Sequence, residues 1–414
     1  MPAPESPPRP GNPPGLPEFI ALTACLMALT AFSVDIMLPA LPQIRADYGL
    51  ADVNAQQLVV STYVGGFALG QLFVGPLSDR YGRRPVLFAG LGVYALAAFA
   101  CLVADSFSTL LIARFVQGLA NAAPRVMAIA ITRDSFQGRR MAEVMSFVMM
   151  VFIIVPVIAP SLGGAFMLIG SWHLIFAFLC VFALAIMVWT ALRMPETHRA
   201  ETRVPMTAAW LWGAIRETAT NRQTLGYTLA TGVLFGALMG YINSAQQVFQ
   251  EVYGVGELFP ILFGACAIAL AIAAFVSGRF VMRMGSRRLG HAAVLGFAVF
   301  STLHYALFLA IGTPPLPVFL VILSGCLFCF GLVMPNYNAL AMEPMGRIAG
   351  TASSFVGAVT TGLAAVLGLV IGQHFDGTVG PLLAGFAIFG VCSVAITLVI
   401  ERGRLFGVGQ PRAA

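Results

Sequence analysis

Apolar runs of membrane-spanning length follow one another along nearly the whole chain, separated by short polar breaks rich in Arg, Gly and Pro. A helix needs about 20 mostly apolar residues to cross the hydrocarbon core of a bilayer. That criterion predicts helices near 18–41, 54–75, 84–104, 107–131, 141–168, 172–193, 225–250, 258–282, 289–312, 316–342, 348–373 and 380–401. Runs that contain Gly or Pro still read as helices, because hydrocarbon offers an unpaired backbone no other partner. The longest polar stretch between runs is 194–224, with six predicted spans on each side of it. The pattern therefore divides the chain into helical halves, 18–193 and 225–402, joined by a 194–224 linker. A Pro-rich 1–17 segment and a 403–414 tail flank them and are read as polar tails, the first disordered. No signal-peptide pattern of charged start, short apolar core and small residues is found at the N-terminus.

Composition agrees with that reading. Of 414 residues, 59% are hydrophobic and 10% charged, against about 25% charged in soluble globular domains. Too little polar surface remains to keep a chain of this length in water. All 23 basic residues are Arg. Twenty of them fall on the side of the bilayer that holds the N-terminus, only Arg45 falls opposite, and Arg114 and Arg125 lie within the fourth span. Positive charge gathers on the cytosolic side, so both termini are expected in the cytosol. The net charge of +6 thus reports topology, and no nucleic-acid partner is expected without a basic patch or tail. Seven Cys lie scattered in apolar runs, the close pair Cys326 and Cys329 included, and read as small buried hydrophobes. A membrane-embedded enzyme would need a catalytic cluster within the spans. The five His are scattered, there is no His-Glu-x-x-His, and no second acid lies as deep as Asp35. No metal and no cofactor is expected.

A repeat strengthens the two-half division. Gly75-Pro-Leu-Ser-Asp-Arg-Tyr-Gly-Arg-Arg84 follows the second span, and Gly278-Arg-Phe-Val-Met-Arg-Met-Gly-Ser-Arg287 follows the eighth. The offset is 203 residues, with Gly, Arg, Gly and Arg in register. Duplicated six-helix halves are a transporter architecture. The 75–84 stretch resembles the loop signature of the major facilitator superfamily, and Gly70 to Pro85 is similar to its bacterial Bcr/CflA drug-resistance branch. Asp35-Ile-Met-Leu-Pro-Ala-Leu-Pro42, Arg114-Phe-Val-Gln-Gly118, Ala159-Pro-Ser-Leu-Gly-Gly164 and Ala349-Gly-Thr-Ala-Ser-Ser354 agree with that branch. The resemblance implies an all-α polytopic protein of twelve helices in two pseudo-symmetric six-helix bundles, lying in a bacterial cytoplasmic membrane as a monomer.

Charged groups at membrane depth mark pathways, relays or counter-ions by default. Asp35 lies roughly 10 Å inside the outer end of its span by helical rise, and Arg114 enters the antiparallel fourth span to a similar depth. Desolvation favours a neutral carboxyl and a nearby guanidinium a charged one. An acid balanced between the two can exchange a proton; a static ion pair that only orients two helices is the alternative. The resemblance favours proton coupling by Asp35 and Arg114. On the fourth span, Arg114, Gln117, Gly118, Asn121 and Arg125 share one helical face. Arg125 stands where many members of the family that the chain resembles carry a small or apolar residue. It either attracts an anionic substrate group or pairs with Glu143.

The resemblance also gives Gly75, Asp79, Arg80, Gly82, Arg83 and Arg84 the role of a conformational latch at the cytosolic mouth, with Asp79 meeting a neighbouring helix end. The second copy has Met282 in place of that acid, so the latch is expected to be lopsided. Pro156, Pro160, Gly163 and Gly164 in the fifth span remove backbone donors and permit close packing; the resemblance makes them a pivot. The C-terminal half offers neutral polar groups, with Leu238 at the position equivalent to Asp35. Substrate-binding candidates are Tyr63, Gln117, Asn121, Arg125, Tyr241, Gln246 and Asn338. Thirty-two Phe and 18 Met can furnish a pliable apolar wall. The resulting expectation is an exporter of lipophilic small molecules, drugs and antibiotics among them, in exchange for protons. A proton-coupled carrier of one specific metabolite is the alternative.

Overall fold

The computed structural model describes residues 14–136, 138–197 and 208–407. Its α-helices are α1 (Leu16–Asp35), α2 (Leu41–Asp47), α3 (Leu58–Tyr81), α4 (Arg83–Leu102), α5 (Phe107–Ser135), α6 (Gly138–Ile169) and α7 (His173–Arg193). The remainder are α8 (Ala208–Thr220), α9 (Arg222–Gln246), α10 (Phe259–Ile311), α11 (Leu316–Met342), α12 (Ala349–Gln373) and α13 (Gly380–Ile400). Among the described residues ten helical runs are long and apolar enough to cross a membrane, and one of them, Gly256–Ile311, has the length of two spans. Helix α5 adds the twelfth span. It is too polar to qualify by composition because it carries Arg114, Gln117, Asn121 and Arg125; packing hides the first three completely.

The two repeated loops share a backbone device. Gly82 separates α3 from α4 with φ +101°, and Gly285, 203 residues later, interrupts α10 with φ +76°. Such angles are costly for any residue with a Cβ. One glycine therefore turns the chain back into the bilayer in each half. Contrary to the loop expected after the second span, Gly75–Tyr81 continues α3, Pro76 included. The first span departs from expectation too. Helix α1 ends at Asp35, and a 3₁₀ turn at Leu38–Ala40 and α2 carry the chain onward. Pro39 and Pro42 cause the break, since neither can donate a backbone hydrogen bond and each constrains the residue before it.

The N-terminal half is clamped at the α3–α5 crossing. A Cβ on Gly118 would overlap the carbonyl oxygen of Tyr63, and one on Gly66 that of Phe115. This is small-residue packing of membrane helices at its tightest. Between the halves, α3 lies along α12, and α6 meets α10 where a Cβ on Gly264 would stand 2.8 Å from the Val157 carbonyl oxygen. The expected linker is not wholly irregular: α8 lies within it, burying Ala214 and Thr218, with Ala214 packed on Met345, Ile348 and Ala352. Parts of the expected tails, 1–13 and 408–414, fall outside the described residues, as do 198–207 of the linker.

Candidate functional site

Asp35 is the last residue of α1 and is 5% exposed. Among the described residues it makes no hydrogen bond or ion pair. Arg114 is completely buried and makes no ion pair with Asp35; it reaches the backbone of Ser33, two residues before the acid. Its Nη2 donates to the Ser33 carbonyl (2.9 Å), its Nε to the Val59 carbonyl (3.0 Å) and its Nη1 to Gln117 Oε1 (2.7 Å). The guanidinium also lies over the Tyr63 ring, 4.4 Å from its centroid. The static Asp35–Arg114 ion pair that stood as the alternative is therefore absent in this conformation. Arg114 instead ties the end of α1 to the start of α3 through two backbone carbonyls, while Asp35 stays unpaired at the helix break. Ser33 Oγ, two residues away, shares a hydrogen bond with Tyr94 OH (2.6 Å).

The expected polar face of α5 exists and points inward. Asn121 Nδ2 donates to Tyr63 OH and to Thr30 Oγ1 (3.1 Å). Arg125, half-buried, lies over Phe67 at 5.4 Å. Tyr63 and Phe67 stack at 6.4 Å, one turn apart on α3. Two guanidinium groups of α5 thus ride on two stacked rings of α3, with Asn121 between them. Among the described residues, buried Gln117 Nε2 and Asn121 Oδ1 have no hydrogen-bond partner. Tyr241, from α9, is buried and stacks on Phe263 at 5.4 Å.

Two other binding candidates lie elsewhere. Gln246 Oε1 accepts from Gln56 Nε2 (2.9 Å) and its Nε2 donates to Gln250 Oε1 (2.9 Å), so its amide is used to join the halves. Asn338 is exposed, whereas its neighbours Asn336 and Tyr337 are buried and bonded to Ser277 and Thr397. Gln246 belongs to a polar seam at the end opposite Gly82. Gln57 Nε2 donates to Gln247 Oε1 (2.5 Å), and Asn243 Nδ2 to Ser61 Oγ (3.0 Å). Asn54 Nδ2 donates to the carbonyls of Gln373 (3.2 Å) and Phe375 (2.9 Å), and Asn54 Oδ1 accepts from Gln247 (3.0 Å). Past Gln246, α9 continues as a π-helical turn, Gln247–Val252, a form often found at functional sites.

At the arginine-rich end, Asp79 Oδ1 meets Arg83 Nη1 (2.5 Å), and its Oδ2 lies 3.8 Å from where a Cβ on Gly350 would stand, at the N-terminus of α12. A carboxylate is favoured there by the helix dipole. Arg83 Nε also donates to Asp134 Oδ2 (2.9 Å). The backbone N–H groups of Arg83 and Arg84 donate to Glu196 (3.0 Å each), which thereby caps α4. Arg84 Nη2 donates to the Ala191 carbonyl (2.6 Å). Gly75 packs against Ser354 of α12. The second half repeats the plan: Arg287 faces Glu401 (3.4 Å) and Glu343 (3.9 Å), and Met282, the counterpart of Asp79, is exposed. In α6, Gly163 lets the helix touch the Ile36 carbonyl and Pro39 at the α1 break, while Gly164 faces Pro260 of α10. Pro160 is buried and Pro156 half-buried in the same helix.

The family profile described as Major Facilitator Superfamily matches residues 23–369. The chain belongs to the Major Facilitator Superfamily. It is 31% identical over 394 residues to an uncharacterized MFS-type transporter, YdgK, of Bacillus subtilis, covering 94% of this chain and 95% of that one. A bicyclomycin resistance protein homolog of Haemophilus influenzae is 30% identical, with 91% and 94% covered. The multidrug resistance protein MdtL of Escherichia fergusonii is 28% identical, with 92% and 95% covered. Two of these names agree with the Bcr/CflA branch that the first-span motif resembles. Among solved structures, a peptide transporter POT aligns with TM-score 0.73 at 16% identity, covering 97% and 98%. Human organic anion transporter MFSD10 aligns with TM-score 0.69 at 18% identity, covering 94% and 99%. At such identities the likeness concerns the fold. The protein is a multi-pass membrane transporter of the superfamily, not an enzyme.

In this superfamily member, sequence reasoning missed Asp134, Glu196 and the Gln56–Gln57 seam. The seam had a legible trace, a Gln-Gln doublet at 56–57 answered by another at 246–247. Asp134 and Glu196 had none, because they lie 51 and 113 residues from Arg83 and meet it only in the fold.

Proposed function

We propose that the protein exports lipophilic small molecules, drugs among them, across a bacterial cytoplasmic membrane in exchange for protons. It works as a monomer with both termini in the cytosol, rocking its 18–193 and 225–402 halves about the central site. The observation that carries this reading is Asp35: a carboxyl buried at a helix break, without an ion-pair or hydrogen-bond partner among the described residues. A membrane-buried acid held so can change protonation as access alternates between the two faces. Arg114 fixes the geometry around it by joining α1 to α3. Tyr63, Gln117, Asn121, Arg125 and Tyr241 line the substrate route. Gln246 closes the face opposite the arginine-rich end, and Asp79 with Arg83 latches the arginine-rich one.

The relatives' resistance names support a drug as cargo. Pro156, Pro160, Gly163 and Gly164 form the pivot, where α6 meets both the α1 break and the other half. The test is a panel of lipophilic drugs on inverted vesicles with an imposed pH gradient, reading accumulation and proton release together. Accumulation of several unrelated compounds with matching proton release is expected. Uptake of a single metabolite, or drug movement with no proton exchanged, would replace this reading.

A further inference from the structure

We propose that residues 402–407, which follow α13, form a strap that neutral His291 holds against the second half and that is released when the arginine-rich face acidifies. The inference depends neither on the cargo nor on how protons are coupled to its movement. Helix α13 ends in a turn, with the Gly403 N–H bonded to the Leu398 carbonyl (2.9 Å) and the Arg404 N–H to the Glu401 carbonyl (3.0 Å). Beyond that turn the chain reaches α10. Phe406 sets its ring against His291, with centroids 6.0 Å apart at 73°, and its N–H donates to His291 Nδ1 (3.1 Å). Arg402 and Phe406 are the only non-glycine residues with positive φ among those described, at +52° and +66°. The turn accounts for Arg402. Phe406 lies past it, and the contacts with His291 hold it in a backbone state that is costly for a residue with a Cβ.

The hydrogen bonds fix the protonation state that the strap requires. An amide N–H can only donate, so His291 Nδ1 accepts and the ring proton sits on Nε2. Nε2 then donates to Tyr227 OH (3.0 Å), whose own proton goes to Glu401 Oε1 (2.5 Å). Every donor in this chain meets an acceptor only while the imidazole is neutral. A second proton, on Nδ1, would face the Phe406 N–H, and two opposed donors cannot bond. The strap would lose its hydrogen bond and be left with the strain at Phe406.

The groups around the ring allow that proton to arrive. His291 is completely buried between Tyr227 of α9 and Tyr337 of α11, whose hydroxyl shares a bond with Thr397. Arg287 lies one turn earlier on α10 and opposes a charge on the imidazole. Glu401 favours one: its Oε1 stands 4.0 Å from His291 Nε2 and 3.4 Å from Arg287 Nε, while Glu343 stands 3.9 Å from Arg287 Nη2. An imidazolium therefore competes with Arg287 for Glu401, so its formation slackens that ion pair together with the strap. Histidine is the side chain whose ordinary charge change falls between pH 5 and 8. The repeat does not demand one here. The position 203 residues earlier is Phe88, which lies under Arg84 at 5.3 Å and cannot take a proton.

A spin label on Arg404→Cys, an exposed position, reports the strap by its mobility in a chain cleared of native cysteines. The chain is reconstituted in liposomes with equal pH inside and out. Lowering the pH from 8 to 5 is expected to raise the ratio of mobile to immobile label about tenfold, the effect of one lost hydrogen bond to a buried group. Returning to pH 8 should reverse it. His291→Asn keeps an acceptor oxygen near the place of Nδ1 and cannot become charged, so its label should stay immobile at both pH values. Phe406→Pro removes the N–H at a position outside the helices, so it gives the released spectrum at both pH values whatever His291→Asn does to the fold. A label in the natural chain that ignores pH would overturn the proposal. So would an unchanged pH response in His291→Asn, which would assign the proton to another group such as Glu401, or an immobile label in Phe406→Pro.

Discussion

Replacing Asn54 by Ala should loosen the seam at the end opposite the arginine-rich loops. The side chain makes three hydrogen bonds across the halves: to the Gln373 carbonyl, to the Phe375 carbonyl and from Gln247. Interhelical bonds of this kind are worth about 0.6 kcal/mol each in membrane proteins. Losing three therefore costs the closed seam about 2 kcal/mol, or roughly a 20-fold shift in population toward the open form. The Asn54 backbone carbonyl, which accepts from Gln373 Nε2 (2.9 Å), is untouched by the substitution. Spin labels on Ala51→Cys and His374→Cys, both exposed positions, flank the seam in a chain cleared of its seven native cysteines. Distance distributions by double electron–electron resonance in liposomes should gain a longer component in Asn54→Ala. An unchanged distribution in a folded variant would show that these bonds do not hold the halves together at this end.

Three further outcomes follow from particular contacts. Gly118→Ala forces a methyl group onto the Tyr63 carbonyl, so it should lower thermal stability by about 1–3 kcal/mol; a melting temperature equal to the natural chain's would remove the tight α3–α5 crossing. Arg114→Gln leaves the Ser33 and Val59 carbonyls without their donor. It should slow transport and destabilise the fold while leaving the pH profile in place, and a clear displacement of that profile would mean Arg114 acts directly on Asp35. Glu196→Gln weakens the cap on the Arg83 and Arg84 amides and should cost about 1 kcal/mol, seen as faster hydrogen exchange confined to the start of α4.

The features readable in advance are those whose cause is local. Every span but α5 follows from apolar length, and the paired turns at Gly82 and Gly285 follow from a repeat that places glycine where φ must be positive. The inward face of α5 was legible because helical spacing alone collects Arg114, Gln117, Asn121 and Arg125. What was not legible depends on partners distant in the chain or lacking a side-chain signature. Arg114 is held by the backbone of Ser33 and Val59, and a carbonyl is the same in every residue. Sequence could place Asp35 and Arg114 at one depth but could not say which way the guanidinium turns. Gly75–Tyr81 read as a loop because Gly and Pro end helices in water, whereas neighbouring helices in a membrane protein let α3 run on. Gln246 looked like a cavity residue on polarity alone, and its engagement with Gln56 appears only when the halves are docked.

Asp35→Asn tests the central claim most directly. Asn keeps the volume and hydrogen-bonding capacity of the side chain but cannot exchange a proton. Purified natural and Asp35→Asn chains are reconstituted in proteoliposomes with a pH-sensitive dye inside, and a transported drug is added. The natural chain should release protons in step with drug movement. The variant, still folded and still able to bind the drug, should release none and should fail to concentrate the drug against its gradient. If Asp35→Asn continues to drive the drug uphill on a pH difference, proton coupling does not pass through Asp35 and the account is wrong.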